Sequence, residues 1–117
     1  MNKATRKQIS EIIGRLESLA TVDAITDAGV EGTLAEIQDI SSEIQSLADD
    51  EQDKFDNMPE GLQNGERGQE MQDAAEMLNS AVSTLESISI DAANLEEGWQ
   101  EEVMDEILSA VSELHGI

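Results

Sequence analysis

Between Met71 and Trp99 the chain places Met71, Ala74, Leu78, Ala81, Leu85, Ile88, Ala92, Leu95 and Trp99 at unbroken steps of three and four. No Pro lies in this run, and Gly98 is its one glycine. A mean spacing of 3.5 residues keeps these side chains on one side of an α-helix and makes a seam for a second helix. Val103, Ile107, Val111 and Leu114 continue the series with a drift toward the 3.6-residue period. The pattern predicts a second helical arm over residues 66–115, interrupted only by Gly98, in an all-α fold.

The first half of the chain supplies a partner for that arm. Over about 3–20, Ile9, Ile12, Ile13, Leu16 and Leu19 share one face, and over about 33–57 Leu34, Ile37, Ile40, Ile44 and Leu47 do the same. Gly29 and Gly32 lie between, each costing about 1 kcal/mol in a helix interior, so a break is expected near 21–32. Antiparallel partners in one hairpin have residue numbers that add to a constant, because both helices rise equally per residue. Leu34 with Ile88, Ile37 with Leu85, Ile40 with Val82, Ile44 with Leu78 and Leu19 with Val103 all add to 122, while Leu16 with Ile107, Ile12 with Val111 and Ile9 with Leu114 add to 123. One register therefore serves both halves. The expected architecture is a single domain, residues 1–117, forming a long antiparallel helical hairpin, a coiled coil with arms of roughly 70 Å. A compact four-helix fold broken near Ser87 to Asp91 is the alternative.

A two-helix hairpin buries only a thin stripe, and small single-seam folds need further burial. The stripe broadens at Ile12, Ile13, Leu16, Val103, Met104, Ile107, Leu108 and Val111. These residues are expected to carry self-association, most simply a homodimer forming a four-helix bundle.

Charge decides which partners suit such an object. The chain has 27 Asp and Glu against 6 Lys and Arg, a net charge of −21. Residues 1–15 are net +3, which leaves −24 on residues 16–117, where Lys54 and Arg67 are the only other cations. Such a surface repels nucleic acid and anionic membranes and attracts basic protein surfaces. With no cysteine, disulfides, thiolate metal sites and thiol nucleophiles are excluded, as suits a reducing cytoplasm. No apolar run is long enough for a membrane span or a secretion signal.

Catalysis finds no foothold. The one histidine, His115, stands beside Gly116 at the C-terminus, without the spacing to a carboxylate or second histidine that metal sites use. Asp49, Asp50, Glu51, Asp53 and Asp56 cluster, but a calcium loop opening at Asp49, Asp50 or Asp53 puts Lys54, Phe55 or Met58 where glycine is required. No cofactor or metal is expected, and the chain reads as a non-enzyme.

The candidate partner surface is acidic. Glu97, Glu101 and Asp105 recur at four-residue steps, as do Glu102 and Glu106, with Glu96 adjoining; Asp49, Asp50, Glu51 and Asp53 form a second group. Carboxylates four apart on a helix lie about 6 Å apart along the axis. This is similar in order to the spacing of phosphates along a nucleic-acid strand. Like charges at that separation destabilise a helix slightly, so their abundance suggests retention for a partner.

The remaining unusual stretch is DEQDKFDNMPEGLQNGERG, residues 50–68, with the only Pro and the only Phe. Pro59 disfavours helical dihedrals at Met58, which sets a turn over 58–65 that includes Gly61, and Phe55, Met58 and Leu62 close the apolar end of the seam. This segment, with TRKQISEIIGRLE before it and MQDAAEMLNSAVSTLESI after it, resembles a motif of small, acidic, helical bacteriophage proteins of unassigned function. The resemblance covers about half the chain and carries no active residues. It implies a phage source and a helical hairpin acting in the host cytoplasm. Together with the acidity it leads to the expectation of a DNA mimic that inhibits a basic host nucleic-acid-binding or defence protein. The alternative is a structural or adaptor coiled coil that binds through its turn or its terminal apolar face.

Overall fold

The computed structural model describes residues 2–117, which contain helices and no strand. In chain order these are α1 (Lys3–Leu19), α2 (Val22–Asp56), α3 (Glu60–Gln63), α4 (Glu66–Glu86) and α5 (Trp99–His115). The all-helical class read from the spacing is the class observed. The molecule measures 54 × 22 × 18 Å, which arms of roughly 70 Å would exceed.

Local chemistry sets most helix ends. Asn2 Oδ1 accepts from the Thr5 backbone N–H at 2.8 Å, and Thr21 Oγ1 accepts from that of Ala24 at 3.0 Å; each supplies a partner for an N–H that a helix start leaves unbonded. α2 stops at Asp56, just ahead of Pro59, and the chain reverses through α3. Gln63 Nε2 donates to the Phe55 carbonyl at 2.8 Å and ties the turn to the helix before it. Gly68 then takes a role beyond flexibility. A Cβ there would stand 2.2 Å from the Gln63 carbonyl oxygen, so only glycine lets α4 start so close beneath the turn.

The break expected near 21–32 proves to be two features. Residues 20 and 21 interrupt the helix, and within α2 Gly29 adopts φ 75°, ψ 179°, a conformation nearly closed to residues with a Cβ. Thr33 Oγ1 donates to the Ile25 carbonyl at 3.4 Å. In a straight helix eight residues span about 12 Å, so this bond exists only because the chain bends sharply at Gly29. The bend lets Ile25 join the core, fully buried.

The arm over 66–115 is two helices, α4 and α5. Residues 87–98 leave the helix, and α5 restarts from Gly98 at φ 84°. Asp91 explains part of the departure: its Oδ1 accepts from the Ala93 N–H at 3.0 Å and its carbonyl from the Asn94 N–H at 3.1 Å, local bonds that compete with a helical ladder. Ala92 and Leu95 are consequently exposed, Leu95 by 46%, although the spacing placed both in the seam.

Pairing directions follow from side-chain contacts. Gln45 Nε2 meets Asn79 Oδ1 at 3.2 Å, while Leu34 and Ile37 share a groove with Leu85 and Ile88, so α2 and α4 run antiparallel in the expected register. Ile9 and Ile13 line a groove with Leu114, again as the register requires of α1 and α5. The α1/α5 pair lies against the α2/α4 pair. Arg15 bonds Glu36 at 3.2 Å and also Glu43, and Thr84 Oγ1 donates to Glu113 Oε1 at 2.6 Å. Leu16, Ile40, Ile44, Leu78, Leu85 and Ile107 are buried in the shared core.

This arrangement places the broad apolar stripe. Ile12, Ile13, Leu16, Val103, Ile107 and Val111 are buried within one chain, and Met104 packs against the same core. Leu108 alone of the set is exposed, by 40%. The extra burial that a two-helix stripe lacked comes from folding one helix pair onto the other.

Candidate protein-interaction surface

The acidic residues separate into two places. Asp49, Asp50 and Asp53 are exposed on the second half of α2, with Asp50 lining a groove beside Gln8 and Glu11 of α1. Asp49 accepts a hydrogen bond from Gln45 Nε2 at 3.1 Å. Glu96, Glu97, Glu101, Glu102, Asp105 and Glu106 are exposed on the 87–98 segment and α5. Ile88, at the start of that segment, shares its groove with Leu34. Measured from Leu34 to Asp50 along α2, the two groups lie roughly 24 Å apart on the axis. The expected single acidic face is therefore two patches.

Glu51 belongs to neither. It is 0% exposed, and its Oε1 accepts from Lys54 Nζ at 3.2 Å. Its position continues the phase of Ile44 and Ala48, which was a readable signal: a carboxylate standing where the seam wants an apolar residue. Thr33, in phase with Ile37 and Ile40, carried the same kind of signal and serves the Gly29 bend.

The column on α5 is also shorter than its spacing suggested. Glu97 precedes Gly98 and lies outside the helix, so the series is Glu101 with Asp105 and Glu102 with Glu106. Glu101 and Glu102 occupy the first turn, where unbonded N–H groups and the helix dipole favour negative charge. For these two, charge stabilises the helix, and the argument that they are kept at a cost does not hold. It still applies to Asp105 and Glu106.

What the fold adds is a groove beside these carboxylates. Ile90, Leu95, Trp99 and Val103 supply apolar wall, with Asp91, Glu96, Glu102 and Glu106 around it, enclosing about 350 Å³. Trp99 is half-buried, its spacing-predicted place in the core joined to one exposed side. Among the described residues, no three acidic or histidine side chains stand close enough together to hold a metal ion.

Cations are scarce near this patch. Among the described residues the ion pairs are Arg15 with Glu36 and Glu43, and Lys54 with Glu51. The Arg15 pKa is raised, chiefly by its hydrogen bond to Glu36. Arg6 lines grooves with Glu70, Asp73 and Ile117, at the C-terminal end of α5 and away from Glu101 and Glu102. Sequence reasoning found neither the Arg15 pairs nor the Thr84–Glu113 bond, because both join elements whose proximity depends on the fold.

The turn residues gather as expected at the opposite end. Phe55 and Met58 are half-buried, Pro59 and Gly61 are exposed, and Leu62 projects with 56% exposure. His115 is exposed in the last turn of α5. Among the described residues, no helix is long and apolar enough to cross a membrane. No protein-family model matches the chain, and no curated protein or solved structure matches it either.

Proposed function

We propose that the chain is a non-enzymatic acidic protein that occupies the basic, nucleic-acid-binding surface of another protein and so inhibits it. The observation that carries this reading is the α5 patch. Glu101, Glu102, Asp105 and Glu106, with Glu96 and Glu97 beside them, are exposed and lie beyond ion-pair distance of every cation among the described residues. Carboxylates on a helix hold fixed positions that a basic groove can meet in place of phosphates, and the net charge of −21 steers the encounter. The groove at Trp99 gives the same surface an apolar anchor of the residue type favoured at interface hot spots.

The architecture that belongs with this reading is a four-helix bundle within one chain, with α1, α2, α4 and α5 alternating in direction. The phage source and the host cytoplasm as site of action rest on the resemblance of the turn region.

Immobilised protein presented with a bacterial lysate tests the function. Expected is a basic nucleic-acid-binding partner that duplex DNA displaces and that elutes as salt rises. Changing Glu101, Glu102 and Glu106 to Gln and Asp105 to Asn should weaken its capture at least about tenfold, given charge-pair energies at interfaces. A partner indifferent to salt, to DNA and to these changes overturns the reading.

One observation favours a second reading. Leu62 projects at the end opposite the α5 patch, above half-buried Phe55 and Met58. An adaptor binding through this tip would lose its partner on Leu62→Ser and keep it on neutralisation of α5.

A further inference from the structure

We infer that this chain exchanges halves with a second copy of itself: the α1/α5 pair of one molecule packs on the α2/α4 pair of another in a domain-swapped dimer. The inference starts from a coincidence. One pairing register, with sums of 122 and 123, fits α2 to α4 and also α1 to α5, as in one long hairpin, yet the observed chain is folded back on itself. Both hairpin pairings survive that folding. What the closed form adds are the contacts between pairs, such as Arg15 with Glu36 and Thr84 with Glu113. A second copy, opened in the same way, presents the same partners to the same residues.

The two connections between the halves have the makings of hinges. Thr26, in the first connection (residues 20–29), meets the start of α5 just past the second (87–98), Gln100 Nε2 donating to Thr26 Oγ1 at 3.4 Å. The only positive-φ residues described are Gly29 and Gly98, one in each connection. A Cβ at either would meet no atom within 4 Å, so their strain is a matter of backbone conformation alone. Straightened into helix, both positions would favour alanine over glycine.

An oddity of the closed form falls into place. Val22 and Leu95, 40% and 46% exposed, lie in or next to these connections and in phase with the apolar seam on either side. In the open form, with both connections helical, they become seam residues. The two long arms of each copy then cross between two four-helix units, the contacts between helix pairs such as Thr84 with Glu113 re-form between copies, the Thr33–Ile25 bond of the Gly29 bend is given up, and the α5 patch is present twice on one particle. Exchange of an identical element is a low-cost route to a dimer, because its interface already exists within the monomer.

The test uses the double variant Gly29→Ala/Gly98→Ala, which strains the closed form and favours the open one. Light scattering after gel filtration should show the dimer fraction raised about tenfold or more over the unaltered protein at equal concentration. Thr84→Cys and Glu113→Cys, placed singly in separate copies of the double variant and mixed during refolding, should join through a short thiol cross-linker, since the chain has no cysteine of its own. In the unaltered background, diluted and closed, the same mixture should yield monomers. A double variant that remains monomeric with full helical signal overturns the inference. So does one that dimerises without the 84–113 cross-link, or one that loses its helical signal, since the open form keeps every helix.

Discussion

The chain reverses direction at residues 57–65 and again at 87–98, and the two places differ in what holds them. In the first, Leu62 N–H donates to the Pro59 carbonyl at 2.8 Å, Gly65 N–H to Leu62 at 3.1 Å and the Gln63 side chain to Phe55 at 2.8 Å. Every partner is a near neighbour in sequence, and Pro59 disfavours a continuous helix there. The second has no proline and continues the apolar phase of its flanking helices. It departs from the helix through Asp91 and Gly98, and through the gain from folding α5 back onto α4. A turn written in local chemistry is legible outright; the break near Ser87 to Asp91 is readable only as an alternative, because distant packing chooses it.

Substitutions around the two reversals test this contrast by urea denaturation. Leu85, buried against Ile37 just before the second reversal, should cost about 3 kcal/mol as Leu85→Ala, because the packing that holds this reversal is lost. Gly68→Ala should cost about 2 kcal/mol at the first reversal, the added methyl forcing the Gln63 backbone away. By contrast Gly98→Ala should cost only about 1 kcal/mol in the monomer, since the space around it is open and φ alone is strained. Smallest is Leu95→Ser, expected within about 0.5 kcal/mol for the exposed side chain. If Gly98→Ala proved costlier than Gly68→Ala, the division into a locally held turn and a packing-held loop would be wrong.

The acidic surface divides along the same line. That α5 would carry closely spaced carboxylates was evident from Glu101, Glu102, Asp105 and Glu106. Where the helix begins was not, and that start places Glu97 off the column and the first two carboxylates in a favourable dipole. Glu51 shows the reverse case. Charge suggested solvent, phase suggested core, and burial followed phase, with Lys54 at hand for the carboxylate. Trp99 followed its spacing only in part, because the 87–98 segment withdraws the seam on its N-terminal side and leaves a groove there.

By itself the sequence determined that the chain is helical, where its apolar stripes run, which residues face one another in α2 with α4 and α1 with α5, and where the tip turn falls. These follow from periodicity and local backbone chemistry, which act over a few residues. Only the tertiary structure decided that the chain bends at Gly29 and leaves the helix over 87–98, with the broad apolar stripe buried within one chain. The physical reason is that a seam repeating every 3.5 residues specifies what each side chain meets along a helix, and is nearly silent on whether the second layer of contacts comes from the same chain or another.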